Sequence, residues 1–141
     1  METRIDVINH LIRENKYTSY LEIGHGPSFD GVVCENKKSV DPNAKVRGVI
    51  RKTSDDFFAQ YNDHVDIIFI DGDHSYEQVK RDVTAALKHL NKGGCIPSHD
   101  RMDRFQIPGA CVSCVIQIPP STDPRTILTP HTFHPSGRCR A

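Results

Sequence analysis

The chain carries no surplus of either charge: Lys plus Arg and Asp plus Glu stand at 18 each. A field broad enough to draw in nucleic acid or an anionic membrane is thereby excluded, and neither is expected as a partner. No apolar run approaches the roughly 20 residues that span a bilayer. The opening Met1-Glu2-Thr3-Arg4-Ile5-Asp6 lacks the basic-then-apolar order of a secretory signal. The five cysteines are odd in number and lack framework spacing, which suits a reducing compartment better than a disulfide scaffold. Internal repeats are missing, and 141 residues suffice for one core but not two. Two further absences concern phosphate. There is no Gly-Lys-Ser/Thr loop, and Gly24-x-Gly26 has no third glycine in the register a dinucleotide fingerprint requires, Gly31 falling late. The expectation is a soluble, cytoplasmic domain that does not cradle a pyrophosphate; its oligomeric state is left unassigned.

What is present centres on Asp66-Ile67-Ile68-Phe69-Ile70-Asp71-Gly72-Asp73-His74. Consecutive apolar residues bounded by turn formers read as a strand buried on both faces of a parallel sheet. The polar cluster then falls just beyond its carboxyl end, the edge at which open α/β sheets bind ligands.

The remaining elements are placed around that strand. Thr3 caps a helix over 3–15 with Ile5, Ile8, Leu11 and Ile12 on one stripe. Tyr20–Ile23 is a strand entering the turn Gly24-His25-Gly26-Pro27-Ser28, with a turn or two of helix within Phe29–Cys34. Ser39-Val40 forms a second strand ending at Asp41-Pro42, and Val46–Ile50 a third, weakened by Gly48. Thr53 or Ser54 caps a short helix through Ala59. Ser75-Tyr76-Glu77-Gln78 has capping-box spacing, and Val79, Val83, Leu87 and Leu90 follow at helical intervals. Asn91-Lys92-Gly93-Gly94 ends that helix, and Cys95-Ile96-Pro97 opens a strand delivering Ser98-His99-Asp100. The pattern predicts an α/β, Rossmann-like three-layer sandwich with a mostly parallel sheet, its C-terminal strands missing or irregular. Residues 1–118 form this domain, with Ala110–Ile118 its last strand, and the proline-rich 119–141 reads as a disordered tail.

Glu22, Asp41, Asp55, Asp71, Asp73 and Asp100 crowd the expected strand ends with acid. A carboxylate closing a second strand is placed to accept hydrogen bonds from ribose hydroxyls. The glycines let the backbone approach a ligand closely. This reads as a nucleoside pocket that would repel phosphates and tolerate a cationic sulfonium. Plainer readings stand beside this one: Asp41-Pro42 as a turn, Ser54 and Asp55 as helix caps, and Asp71–His74 as a strand-to-helix connection. Cys111-x-x-Cys114 with His131-x-x-His134 misses zinc-finger spacing in both gaps.

Tyr20-Leu-Glu-Ile-Gly, Val40-Asp-Pro-Asn, Thr53-Ser-Asp-Asp-Phe-Phe, the Asp66–His74 stretch and Gly93-Gly-Cys-Ile-Pro-Ser-His-Asp100 resemble, in order, the class I S-adenosylmethionine-dependent methyltransferases. Within that family the chain most resembles the small branch related to cephalosporin-hydroxylase-type and sugar O-methyltransferases. The resemblance covers about residues 4–100 and implies a seven-stranded sheet with the cofactor across its first, second and fourth strand ends. It implies that Glu22, Gly24 and Gly26 line the cofactor's amino-acid end, Asp41 holds the ribose, and Ser54 and Asp55 the adenine. Asp71 would meet the methionine ammonium or a metal, with magnesium on Asp71 and Asp100. His99 stands where the branch has the first acid of a metal-binding pair. The glycine turn is shortened, and the family's final helix and strand pair is not recognisable.

The activity implied is direct methyl transfer to a hydroxyl of a small molecule or sugar, with His74 or His99 as the base. The alternatives are a non-catalytic or truncated remnant that keeps the fold, and an NAD-type oxidoreductase. The acid-rich strand ends argue against the latter.

Overall fold

The computed structural model describes residues 3–73, 75–98 and 115–117. Its first helix, α1 (Arg4–Asn15), begins at a reciprocal cap. The Asp6 amide donates to the Thr3 hydroxyl at 3.3 Å, and the Thr3 amide donates to the Asp6 carboxylate at 2.7 Å. These bonds satisfy amides that a first helical turn leaves without partners. Lys16, at φ 55°, ends the helix in the left-handed region. The buried stripe is Val7, Ile8, Leu11 and Ile12; Ile5 instead lies half-buried, its side chain against Gly31.

Five strands lie among the described residues: β1 (Ser19–Ile23), β2 (Asn36–Val40), β3 (Val65–Ile70), β4 (Leu90–Ser98) and β5 (Val115–Gln117). They form one sheet in the order β2-β1-β3-β4-β5, every pair parallel. Helices α2 (Ser54–Gln60) and α3 (Tyr76–Lys88) complete the described helices, with a short 3-10 turn over Pro27–Gly31. The alternation of strand side chains divides the core in two. Tyr20, Ile67, Phe69 and Cys95 pack with α1, while Leu21, Ile23, Ile68, Ile70 and Ile96 pack with Phe57 and Phe58 of α2 and Val79, Val83 and Ala86 of α3. Ile67 to Ile70 are all at most 1% exposed, so β3 is buried on both faces as its composition requires. The architecture is the expected α/β sandwich.

Three expectations are corrected. Val46–Ile50 is not a strand: one bridge, Val40 to Ile50, is all that forms. Gly48 turns the chain at φ 86°, and Val46 is exposed with no core to pack on. Second, α3 ends at Lys88, and Leu90 belongs to β4. Third, Gly93-Gly94 does not precede that strand but lies within it. Pairing moves from Val65–Leu90 to Ile67–Cys95, which leaves extra residues on β4 as a bulge. Gly94 is required there because a Cβ would fall 2.4 Å from the Asp66 carbonyl oxygen. Of the expected strand over 110–118, Val115–Gln117 is described; the tail from 119 onwards, Cys111, Cys114, His131 and His134 lie outside the described residues.

The chain runs from β1 outward to β2, then returns to place β3 on the other side of β1. That reversal is a topological switch point. In open sheets of this kind, ligands bind beyond the carboxyl ends of the strands at such a point, here those of β1 and β3.

Candidate active site

Gly24 follows β1 and Asp71 follows β3, so these two residues flank the switch point. The Asp71 amide donates to the Ile23 carbonyl at 2.8 Å, and the Gly24 amide donates to Val40 at 2.8 Å. Gly24 has φ 87°, and a Cβ there would meet the Asp71 carbonyl oxygen at 2.3 Å. Only glycine lets the turn after β1 approach the exit of β3 so closely.

Gly26 has a different reason to be glycine. Its backbone is extended, and a Cβ would find nothing nearer than 3.9 Å: Glu22 Oε1 and Ser28 Oγ. Both of these atoms are buried and lack a hydrogen-bond partner among the described residues. Two orphaned polar atoms thus lie side by side against Gly26. Buried polar groups are rarely left in this state, because each costs roughly 1–3 kcal/mol unless another group completes it.

Glu22 itself is fully buried on the α1 side of the sheet. Its Oε2 accepts the Tyr20 hydroxyl at 2.9 Å. Burial pushes its pKa up to about 7; the Tyr20 bond, the Gly26 amide and the Arg4 charge oppose the rise, and Asp71 adds to it. The Gly26 amide faces the carboxylate without closing a well-formed bond to Oε1. The Tyr20 phenol is pushed up in turn, by burial first and then by the Glu22 charge.

Asp41, just past β2, ties the rim together. Its Oδ2 accepts the His25 amide at 3.1 Å and its Oδ1 the Asn43 amide at 2.8 Å. The His25 ring lies 3.0 Å from the Ser39 hydroxyl through Nδ1, which fixes the glycine turn against β2 from a second direction. Asp41 therefore does turn chemistry, and a carboxylate with about four acceptor positions retains capacity for further donors.

Asp71 pairs with Arg4, from the first turn of α1: Nη1 to Oδ2 is 2.6 Å, and the guanidinium sits 5.7 Å from the Phe69 ring centroid. Ser54 and Asp55 begin α2, which Thr53 caps by accepting the Asp56 amide at 3.1 Å. Ser54 Oγ donates to Asp82 Oδ1 at 2.5 Å, and Gln78 Nε2 donates to both at 3.1 and 2.8 Å. Asp55 is exposed and faces Arg81 at 3.5 Å. Asp82 is buried within α3, its pKa raised by that burial, and its Oδ2 has no partner among the described residues.

Glu22, Gly24, Gly26, Asp41 and Asp71 accordingly lie together along the rim at β1, β2 and β3, whereas the Ser54 and Asp55 side chains meet α3. His74, His99 and Asp100 lie outside the described residues. Sequence reasoning missed Arg4, Ser28 and Asp82. Asp82 leaves a signal, a carboxylate on the same face as Val79 and Val83; Arg4 leaves none, because its partner is 67 positions away. Among the described residues no group of three or more His, Cys, Asp or Glu could hold a metal ion, and no helix is long and apolar enough to cross a membrane.

A parallel sheet with helices packed on it, and acidic side chains gathered at its switch point, defines a Rossmann-like α/β domain. A family model described as a methyltransferase domain matches residues 7–101, and the chain belongs to that family. It is also similar to uncharacterized protein R132 of Acanthamoeba polyphaga mimivirus, 49% identical over 39 residues, which are 28% of this chain and 18% of the viral protein. The matched stretch thus spans under a fifth of that relative's length. No solved structure gives a significant match.

Proposed function

We propose that the chain is an S-adenosylmethionine-dependent methyltransferase, of the cephalosporin-hydroxylase-type and sugar O-methyltransferase branch, acting on a hydroxyl of a small molecule or sugar in the cytoplasm. One observation carries the reading: Glu22 Oε1 and Ser28 Oγ, both buried and unpartnered among the described residues, lie together beside Gly26 at the end of β1. Asp41 and Asp71 lie on the same rim. A rim of this charge suits a ligand with sulfonium and ammonium groups and disfavours a pyrophosphate. The residues fit the cofactor on those grounds. Glu22, Gly24 and Gly26 would line its amino-acid end, Asp41 the ribose, Asp71 the methionine ammonium, and the α2 start at Ser54 and Asp55 the adenine.

When bound, the cofactor supplies an electrophilic methyl group. The protein orients the acceptor hydroxyl in line with it, which removes much of the entropic barrier. His74 or His99 takes the hydroxyl proton, since an imidazole is largely neutral and basic near pH 7. Their assignment rests on their positions after Asp73 and Ser98. Magnesium on Asp71 and Asp100 is the alternative means of acidifying the hydroxyl. Arg4 already engages one Asp71 oxygen, which counts against the metal.

The test is to incubate the full chain with methyl-labelled S-adenosylmethionine and a panel of hydroxylated small molecules and sugars, with and without chelator. Label transfer unaffected by the chelator is expected. Ligand binding without transfer to any acceptor would favour a fold that has lost turnover, and binding of NAD instead would favour an oxidoreductase.

A further inference from the structure

Arg4 brings a guanidinium to a rim rich in carboxylates, and its placement is a built feature rather than a surface accident. It occupies the first turn of α1, set by the Thr3–Asp6 cap, and reaches 67 positions along the chain to Asp71 at 2.6 Å. Its guanidinium lies over the Phe69 ring, and the side chain remains 34% exposed. Among the described residues it makes this single hydrogen bond, which leaves most of its five N–H donors for another acceptor. It is also near enough to Glu22 to be felt there as a charge. One guanidinium beside two carboxylates, next to the orphaned oxygens of Glu22 and Ser28, is the complement of a zwitterion: acids for an ammonium and a planar fork for a carboxylate.

We propose that Arg4 binds the α-carboxylate of the cofactor's amino-acid end, while Asp71 and Glu22 face its ammonium. This rests on the methyltransferase reading and adds to it a specificity residue outside the strand-end motifs. A role limited to holding α1 against β3 would make Arg4 indifferent to whether the ligand has a carboxylate.

The experiment compares two ligands by calorimetry: S-adenosylhomocysteine and S-adenosyl-3-thiopropylamine, which lacks only the carboxylate. The wild-type chain is expected to bind the first at least tenfold more tightly. Arg4→Gln should lose that preference by weakening the first ligand alone, and Arg4→Lys, which keeps the charge without the fork, should retain part of it. Failure of the wild type to bind either ligand would overturn the methyltransferase reading and this inference with it. Equal affinity of the wild type for both, or undiminished preference in Arg4→Gln, would overturn the Arg4 assignment and leave that reading standing. If Arg4→Gln does not fold, undiminished preference in Arg4→Lys overturns the assignment in its place.

Discussion

Tyr20 and Glu22 share a hydrogen bond of 2.9 Å on the α1 side of β1, directly below the glycine turn. The phenol supplies one of the few donors available to a carboxylate that is 0% exposed, so the site's acid is held half-satisfied within the core.

The first consequence is a pH dependence of stability. The Glu22 pKa rises from 4.5 in the unfolded chain to about 7 in the fold, so the folded state keeps a proton the unfolded state has lost. Its contribution is full below pH 4.5, declines as pH rises and is gone above about 7, a difference on the order of 3 kcal/mol. Glu22→Gln keeps an acceptor for Tyr20 without the charge. Urea unfolding at pH 5 and pH 8 is expected to show the wild type losing stability relative to this variant at the higher pH. Parallel behaviour of the two would contradict it.

The two glycines of the turn are expected to separate fold from binding. Gly24→Ala places a Cβ into the Asp71 backbone at a positive φ and should cost at least about 2 kcal/mol of stability. Gly26→Ala meets nothing within 3.9 Å, so its melting temperature should stay near that of the wild type while cofactor affinity falls roughly tenfold. Thermal melting and calorimetry on both variants check this together.

At the start of α2 the contrast is between a buried and an exposed neighbour. Ser54→Ala removes a partner of buried Asp82 and should cost about 1–3 kcal/mol. Asp55→Ala, at an exposed ion pair, should change stability by less than about 0.5 kcal/mol. A loss of nucleoside affinity in Asp55→Ala with unchanged denaturation would therefore report a direct adenine contact.

A further pair divides binding from turnover. Asp41→Ala is expected to weaken cofactor binding, and His99→Ala to slow methyl transfer at similar affinity. The reverse pattern in titrations and single-turnover rates would show the two roles to be exchanged.

The strands and helices that do the positioning were readable because their signals are local. The four apolar residues Ile67–Ile70, bounded by turn formers, read as a strand buried on both faces, and Thr3 with Asp6 announces a helix start. The errors arose where long-range pairing decides. Val46–Ile50 has strand composition but no neighbour along its length, and Gly93-Gly94 imitates a helix stop while serving as a bulge against Asp66. In the site, Glu22, Gly24, Asp41 and Asp71 were legible because strand ends in such a sheet share one rim. Arg4 and the Ser54–Gln78–Asp82 cluster were not, because each depends on how a helix docks.

The central claim is that acidic side chains from separate strands surround a cationic adenosyl ligand at the switch point. Calorimetric titration of the full chain with S-adenosylmethionine, with NAD as competitor, tests it most directly. Saturable binding that NAD does not displace is the expected result. No heat at millimolar S-adenosylmethionine, or displacement by NAD, would contradict the account.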